Sequence, residues 1–141
     1  MKFWQSISKR DLGFGIILFA LVIGISLFQP SNKIIAEFGE DSVDVKSSRY
    51  AMNIPYEMVR SIELVDKPDM GEAVDGHDDM ILQTGTWENE TWGKYEMCTE
   101  IATDNCIVVH LTDGRTFVIS RRDNEETAKV FETFQGYVQN G

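Results

Sequence analysis

The sequence predicts a mainly β domain finished by one C-terminal amphipathic helix, standing behind an N-terminal membrane-spanning segment. Three observations carry this. Residues 12–28 form an uncharged apolar run, "LGFGIILFALVIGISLF". From Lys33 onward, short β-type stretches alternate with turn residues. The end of the chain, "LTDGRTFVISRRDNEETAKVFETF", turns a hairpin and opens a helix within a few residues.

The apolar run comes first in the chain. As a helix, its length reaches about 25 Å, slightly short of a ~30 Å hydrocarbon core, and Phe3 and Trp4 upstream supply interfacial side chains. Ile, Leu and Phe occupy all sides of it, which disfavours a buried core helix with one polar face. A cleaved signal peptide would need a small-x-small site after the run. The chain reads "SLFQPSNK" there, so a retained signal anchor fits better. Lys2, Lys9 and Arg10 precede the run and only Lys33 closely follows it. The positive-inside rule therefore puts residues 1–11 in the cytoplasm, the anchor at 12–28, a linker at 29–32 and the domain, 33–141, outside.

Within the domain, "KIIAEF", "VDVK" and "RYAMNI" read as strands separated by "GEDS" and a polar turn. Pro55 pushes Ile54 toward extended backbone, so "PYEMV" reads as a turn or a single helical turn before the strand "RSIELV". Residues 66–79, "DKPDMGEAVDGHDD", lack periodicity and read as a long polar loop. "MILQTGTW" and "GKYEMCTEI" resume the β pattern.

The last hairpin can be registered. Ile107, Val109 and Leu111 alternate onto one face, and Phe117 and Ile119 must join them. A two-residue Asp-Gly loop would throw Phe117 to the other face. A three-residue loop of Thr112, Asp113 and Gly114 pairs Val109 with Phe117 and keeps the face intact. Asp123 is a suitable helix N-cap with Glu126 three residues on. Val130, Phe131, Phe134, Tyr137 and Val138 then form one apolar stripe that covers the β layer.

These short strands, the "IPYEMVRSIEL" turn, the "GTW…WGKYEM" stretch and "IVVHLTDGRTFVISRRDNEE" running into a final helix resemble the bacterial pleckstrin-homology-like domains. The resemblance covers residues 33–138. It implies two packed, near-orthogonal antiparallel sheets forming a partly open barrel, with the helix closing one end. It also implies a setting among membrane-associated bacterial proteins. Phosphoinositide-binding members of the wider superfamily carry Lys and Arg in the first strand–loop–strand. The loop here, "FGEDS", has Glu40 and Asp41 and no base, so that ligand does not transfer.

The 141 residues carry 13 Lys and Arg against 23 Asp and Glu, a net charge of −10. That balance disfavours nucleic acid and anionic headgroups as partners of the domain. With two histidines and no Gly-x-Ser-x-Gly signature, the chain offers no convincing catalytic set and no cofactor motif, and an enzyme is not expected. Asp75, His77, Asp78 and Asp79 form a weak metal-ligand candidate in the polar loop. They depart from the EF-hand pattern, and a solvated acidic loop is the simpler reading. Trp87 and Trp92 flank "ENET" and are candidates for a partner contact, although one or both would also serve as core. Arg121 and Arg122 precede the helix N-terminus but are followed at once by Asp123, Glu125 and Glu126. The sequon at Asn89 is taken as chance.

Parity places Cys98 opposite Tyr95 and Met97, hence outward, and places Cys106 outward with Val108 and His110. On adjacent strands the two thiols would share one face and lie opposite each other or diagonally, depending on register. An external domain would let a disulfide persist, and two unpaired thiols in a cytoplasmic domain remain the alternative. The function expected from the sequence is a membrane-anchored, non-enzymatic binding or scaffolding module whose partner is a protein or peptide, taken up by strand addition or groove docking. A metal-dependent sensor or enzyme built on residues 66–79 is the alternative.

Overall fold

A computed structural model describes residues 34–79, 81–100 and 103–140. The proposed anchor at 12–28, its cytoplasmic leader and the linker lie outside the described residues. No helix among the described residues is long and apolar enough to cross a membrane.

Strands β1 (Ile35–Phe38), β2 (Ser42–Lys46) and β3 (Ala51–Pro55) form a three-stranded antiparallel sheet in chain order. Its inner face follows from period-two alternation. Val43 faces Ile54 and Val45 faces Met52 across the ladder, and all four are buried. Pro55, at φ −66° and ψ 130°, ends the third strand and leads into a single 3-10 turn, Tyr56–Met58.

The second sheet contains β4 (Val59–Asp66), β5 (Glu72–Asp78), β6 (Leu82–Asn89), β7 (Gly93–Glu100), β8 (Asn105–Leu111) and β9 (Thr116–Ile119). Its spatial order is β4-β8-β9-β7-β6-β5. Helix α1 (Asn124–Gln139) completes the domain. The β8–β9 register is the one the hydrophobic pattern demands, with Val109 opposite Phe117. The Leu111 N–H donates to the Arg115 carbonyl at 2.9 Å, closing the three-residue loop, and Gly114 takes a φ of 92° that a side chain would oppose. The Asp123 carboxylate caps α1 by accepting the Glu126 N–H at 2.8 Å. Replacing Asp123 by Ala removes that cap and should lower stability by about 1 kcal/mol, read as a loss of roughly 4–8 °C in thermal melting.

The second sheet departs from the purely antiparallel arrangement that the resemblance implies. β9 sits between β7 and β8 and pairs with β7 in parallel, so the sheet is mixed. All four residues of β9 are buried, which suits a central strand with neighbours on both sides and both faces covered.

Strands β4 and β5 are consecutive in the chain yet stand at opposite edges. Across a flat sheet, five strand spacings amount to about 24 Å. The connection from Asp66 to Glu72 reaches about 20–22 Å fully stretched, and it must also return along the strand direction, because β4 and β5 run parallel. The sheet therefore curls, and residues 67–71 strap its concave face. The Asn89 amide donates to the Asp69 carbonyl at 2.7 Å, and the Tyr95 hydroxyl donates to the Met70 carbonyl. The edges are not paired to each other, so neither sheet closes into a barrel.

Two cores result. The larger lies between the sheets and α1 and includes Val43, Ile54, Ile107, Phe117, Val130 and Phe134. The smaller fills the curl beneath the strap and contains Trp87, Tyr95, Met97, Cys106, Val108 and Val118.

The polar segment 66–79 is only partly loop, because Glu72–Asp78 forms β5, hydrogen-bonded to β6. Most of this strand is exposed on both sides, so its side chains needed no apolar alternation. Backbone pairing and the Gly76–Gly85 partnership hold it instead. Gly85 has a φ of 90°, and a Cβ there would come within 2.7 Å of the Asp75 carbonyl oxygen. A Cβ on Gly76 would meet the Trp87 indole nitrogen at 2.7 Å, so the missing side chain is what admits the ring.

Candidate functional site

The cysteines are unpaired. Cys98 belongs to the larger core and Cys106 to the smaller, on opposite faces of the second sheet with β9 between their strands. The possible disulfide is not formed, because β7 and β8 are not neighbours. The expected outward placement fails for Cys106 because the strap and the curl bury that face, and for Cys98 because its face of β7 is the one turned to the larger core. Burial pushes both thiols up to about 12, well above the usual thiol range.

Trp87 is not an exposed contact. It is 3 % exposed, and its indole N–H donates to the Thr84 carbonyl at 3.0 Å. Trp92 is partly buried, edge-on to Tyr95 with ring centres 5.2 Å apart. The Asn89 side chain between them is spent on the strap and on the Trp92 N–H, which occupies the sequon's amide in the folded domain. His110, on the concave face, has its Nδ1 2.9 Å from the Thr116 hydroxyl.

The acidic quartet is dispersed by its strand. Asp75 and His77 share one face of β5 and Asp78 takes the other. Asp79 lies beyond the strand end, where its carboxylate accepts the N–H groups of Leu82 and Ile81, each at 2.7 Å. Those backbone donors hold its carboxyl below the usual range. Among the described residues, no three or more His, Cys, Asp or Glu side chains gather as a metal site.

A different region draws polar and aromatic groups together. Tyr137, on the last turns of α1, stacks on Phe38 at 5.2 Å with the rings 7° from parallel, and on Tyr56 at 5.3 Å and 25°. The buried Phe134 meets Phe38 and Tyr56 edge-on, at 5.9 and 6.2 Å, and anchors the stack to the core. The Tyr56 hydroxyl donates to the Gly39 carbonyl at 2.9 Å, and the Tyr56 N–H donates to the Asp41 carbonyl at 3.0 Å. These bonds pin the β1–β2 turn against the 3-10 turn. Burial, then the neighbouring Tyr137 and Asp44, raises the Tyr56 phenol above its ordinary range, so the hydroxyl stays a donor.

Around this aromatic shelf runs a cleft. One arm, of about 830 Å³, lies between Asp41, Pro55, Tyr56, Glu57 and Val138. A second, of about 380 Å³, follows the end of α1 past Glu132, Gly136 and Tyr137. Glu40 lines both. None of Glu40, Asp41, Glu57 and Glu132 makes an ion pair among the described residues; the acids so paired are Glu37, Asp113, Glu125 and Glu126. The last turn of α1 carries no base, so its carbonyl end adds further negative potential. The sequence showed parts of this site, the acidic "FGEDS" turn and Tyr137 in the helical stripe. Nothing local brings Phe38, Tyr56 and Tyr137 together.

Residues 36–133 match the family model described as bacterial PH domain. No curated relative and no solved structure matches the chain.

Proposed function

Since the chain belongs to the bacterial PH domain family through residues 36–133, we propose that it is a membrane-anchored, non-enzymatic binding or scaffolding module that docks a protein segment in the cleft beside Tyr137. The uncharged run 12–28 is the anchor, and the basic residues before it keep the N-terminus in the cytoplasm and the domain outside. The external placement rests on that charge bias, since the thiols make no disulfide. The carrying observation is an aromatic shelf, anchored from below by Phe134, that leaves Tyr137 41 % exposed beside unpaired carboxylates.

Groove docking is favoured over strand addition at β5 and β3, whose edges are guarded. β5 has a register irregularity between Ala73 and Asp75 and carries Glu72, Asp75 and Asp78. β3 ends at Pro55, which has no N–H to offer. Bulges, charges and prolines are what natural sheets use to keep edges from pairing. A binding role is also supported over catalysis by the two histidines, one set against Thr116 and the other exposed on an edge strand.

Site-specific photo-crosslinking in the native membrane tests the reading. A benzophenone side chain at position 137 should give a discrete protein adduct, whereas one at position 74 on β5 should give none. An adduct from position 74 alone would replace groove docking with strand addition. Protease added to intact cells should remove the domain, and complete protection would invert the topology.

A further inference from the structure

We propose that the segment taken up by this cleft is cationic and arginine-bearing, with a guanidinium lying on the exposed Tyr137 ring and its neighbours paired with the Glu40–Glu132 rim. The inference rests on the docking reading above and adds the chemistry of the occupant.

Charge complementarity selects the sign. Four carboxylates lie at one cleft with no cation of their own among the described residues. The carbonyl end of α1 points the same way. An anionic headgroup, phosphate or acidic peptide would be repelled. The ring selects arginine over lysine. A planar, weakly hydrated guanidinium stacks on a tyrosine face and still donates in-plane to carboxylates, whereas an ammonium gives up much of its hydration to do either. The apolar positions Pro55, Val59 and Val138 in the larger arm accept aliphatic side chains between the bases.

Two features make the site testable without unfolding it. Glu40 and Glu132 are exposed, so their amides should be tolerated. A Cβ at Gly136 would meet nothing within 4 Å, so Gly136→Leu fills the cleft from a position with open space and good helix propensity.

The full chain in lipid nanodiscs is titrated with three fluorescein-labelled nonapeptides, leucine alternating with arginine, glutamine or glutamate, and followed by polarisation. The arginine peptide should bind best and weaken with salt. Exposed ion pairs are each worth about a factor of two to five at low ionic strength, so Glu40→Gln with Glu132→Gln should weaken it by roughly tenfold. Gly136→Leu should abolish binding. Asp75→Asn with Asp78→Asn removes the same charge from β5 and should leave affinity unchanged, which separates the cleft from general attraction to an acidic protein. Equal losses in both double variants would overturn the proposal. Equal binding of the glutamine peptide, still blocked by Gly136→Leu, would overturn the cationic chemistry and leave docking standing. Binding of no peptide would also overturn the chemistry, and the crosslink at position 137 would then decide whether docking survives.

Discussion

Phe134→Ala is expected to cost about 4 kcal/mol, a large fraction of the ~5–15 kcal/mol that holds a typical domain. Phe134 is fully buried, touches Phe38 and Tyr56 edge-on, and lies where the helix meets the larger core. Its removal leaves a cavity that rigid strands on either side cannot collapse to fill. It also withdraws the support beneath the Tyr137 stack, so cleft binding should fall along with stability. Phe131 belongs to the same stripe but is only partly buried, and Phe131→Ala should cost about half as much. Urea denaturation of the three proteins checks the order. A loss below about 1 kcal/mol for Phe134→Ala would mean that α1 does not pack as described.

Alkaline pH should destabilise the domain steeply, and the two buried thiols should account for much of the slope. Burial raises Cys98 and Cys106 from 9.0 to about 12 in the folded state. An unfolded thiol releases its proton near its ordinary pKa while the folded one keeps it. The stabilisation is therefore complete below pH ~9 and is lost as pH rises toward 12, at about 1.4 kcal/mol per pH unit for each thiol. By pH 10.5 the pair should cost about 4 kcal/mol. Tyr50 and Tyr95, also raised mainly by burial, add to the loss once unfolded phenols begin to ionise. Urea midpoints at pH 8, 9.5 and 10.5 should fall in the wild type. The Cys98→Ala, Cys106→Ala double variant should start lower, because it carries two cavities, but should fall less steeply between pH 8 and 9.5. Equal slopes in the two proteins would show that the thiols are not buried as described. Iodoacetamide at pH 8 should label neither cysteine until the domain is unfolded.

The sequence by itself determined what depends on neighbours in the chain. Pro55 ended a strand, Asp123 capped a helix, and the alternation of Val109, Leu111, Phe117 and Ile119 admitted one loop length, which the β8–β9 ladder has. Each of these follows from backbone sterics or from a side-chain period. Tertiary structure alone decided which faces meet water. Parity correctly separated Cys98 from Tyr95 and Met97, but it could not say that both sides are covered. That cover comes from β9 inserting between β7 and β8, and from a short strap that forces the sheet to curl over Trp87 and Tyr95. Strand β5 was illegible because an exposed edge is held by backbone hydrogen bonds and two glycines, which leave no apolar rhythm. The cleft was illegible for a related reason. Phe38, Tyr56 and Tyr137 come from a strand end, a 3-10 turn and the last helical turns, and only packing over Phe134 makes one surface of them.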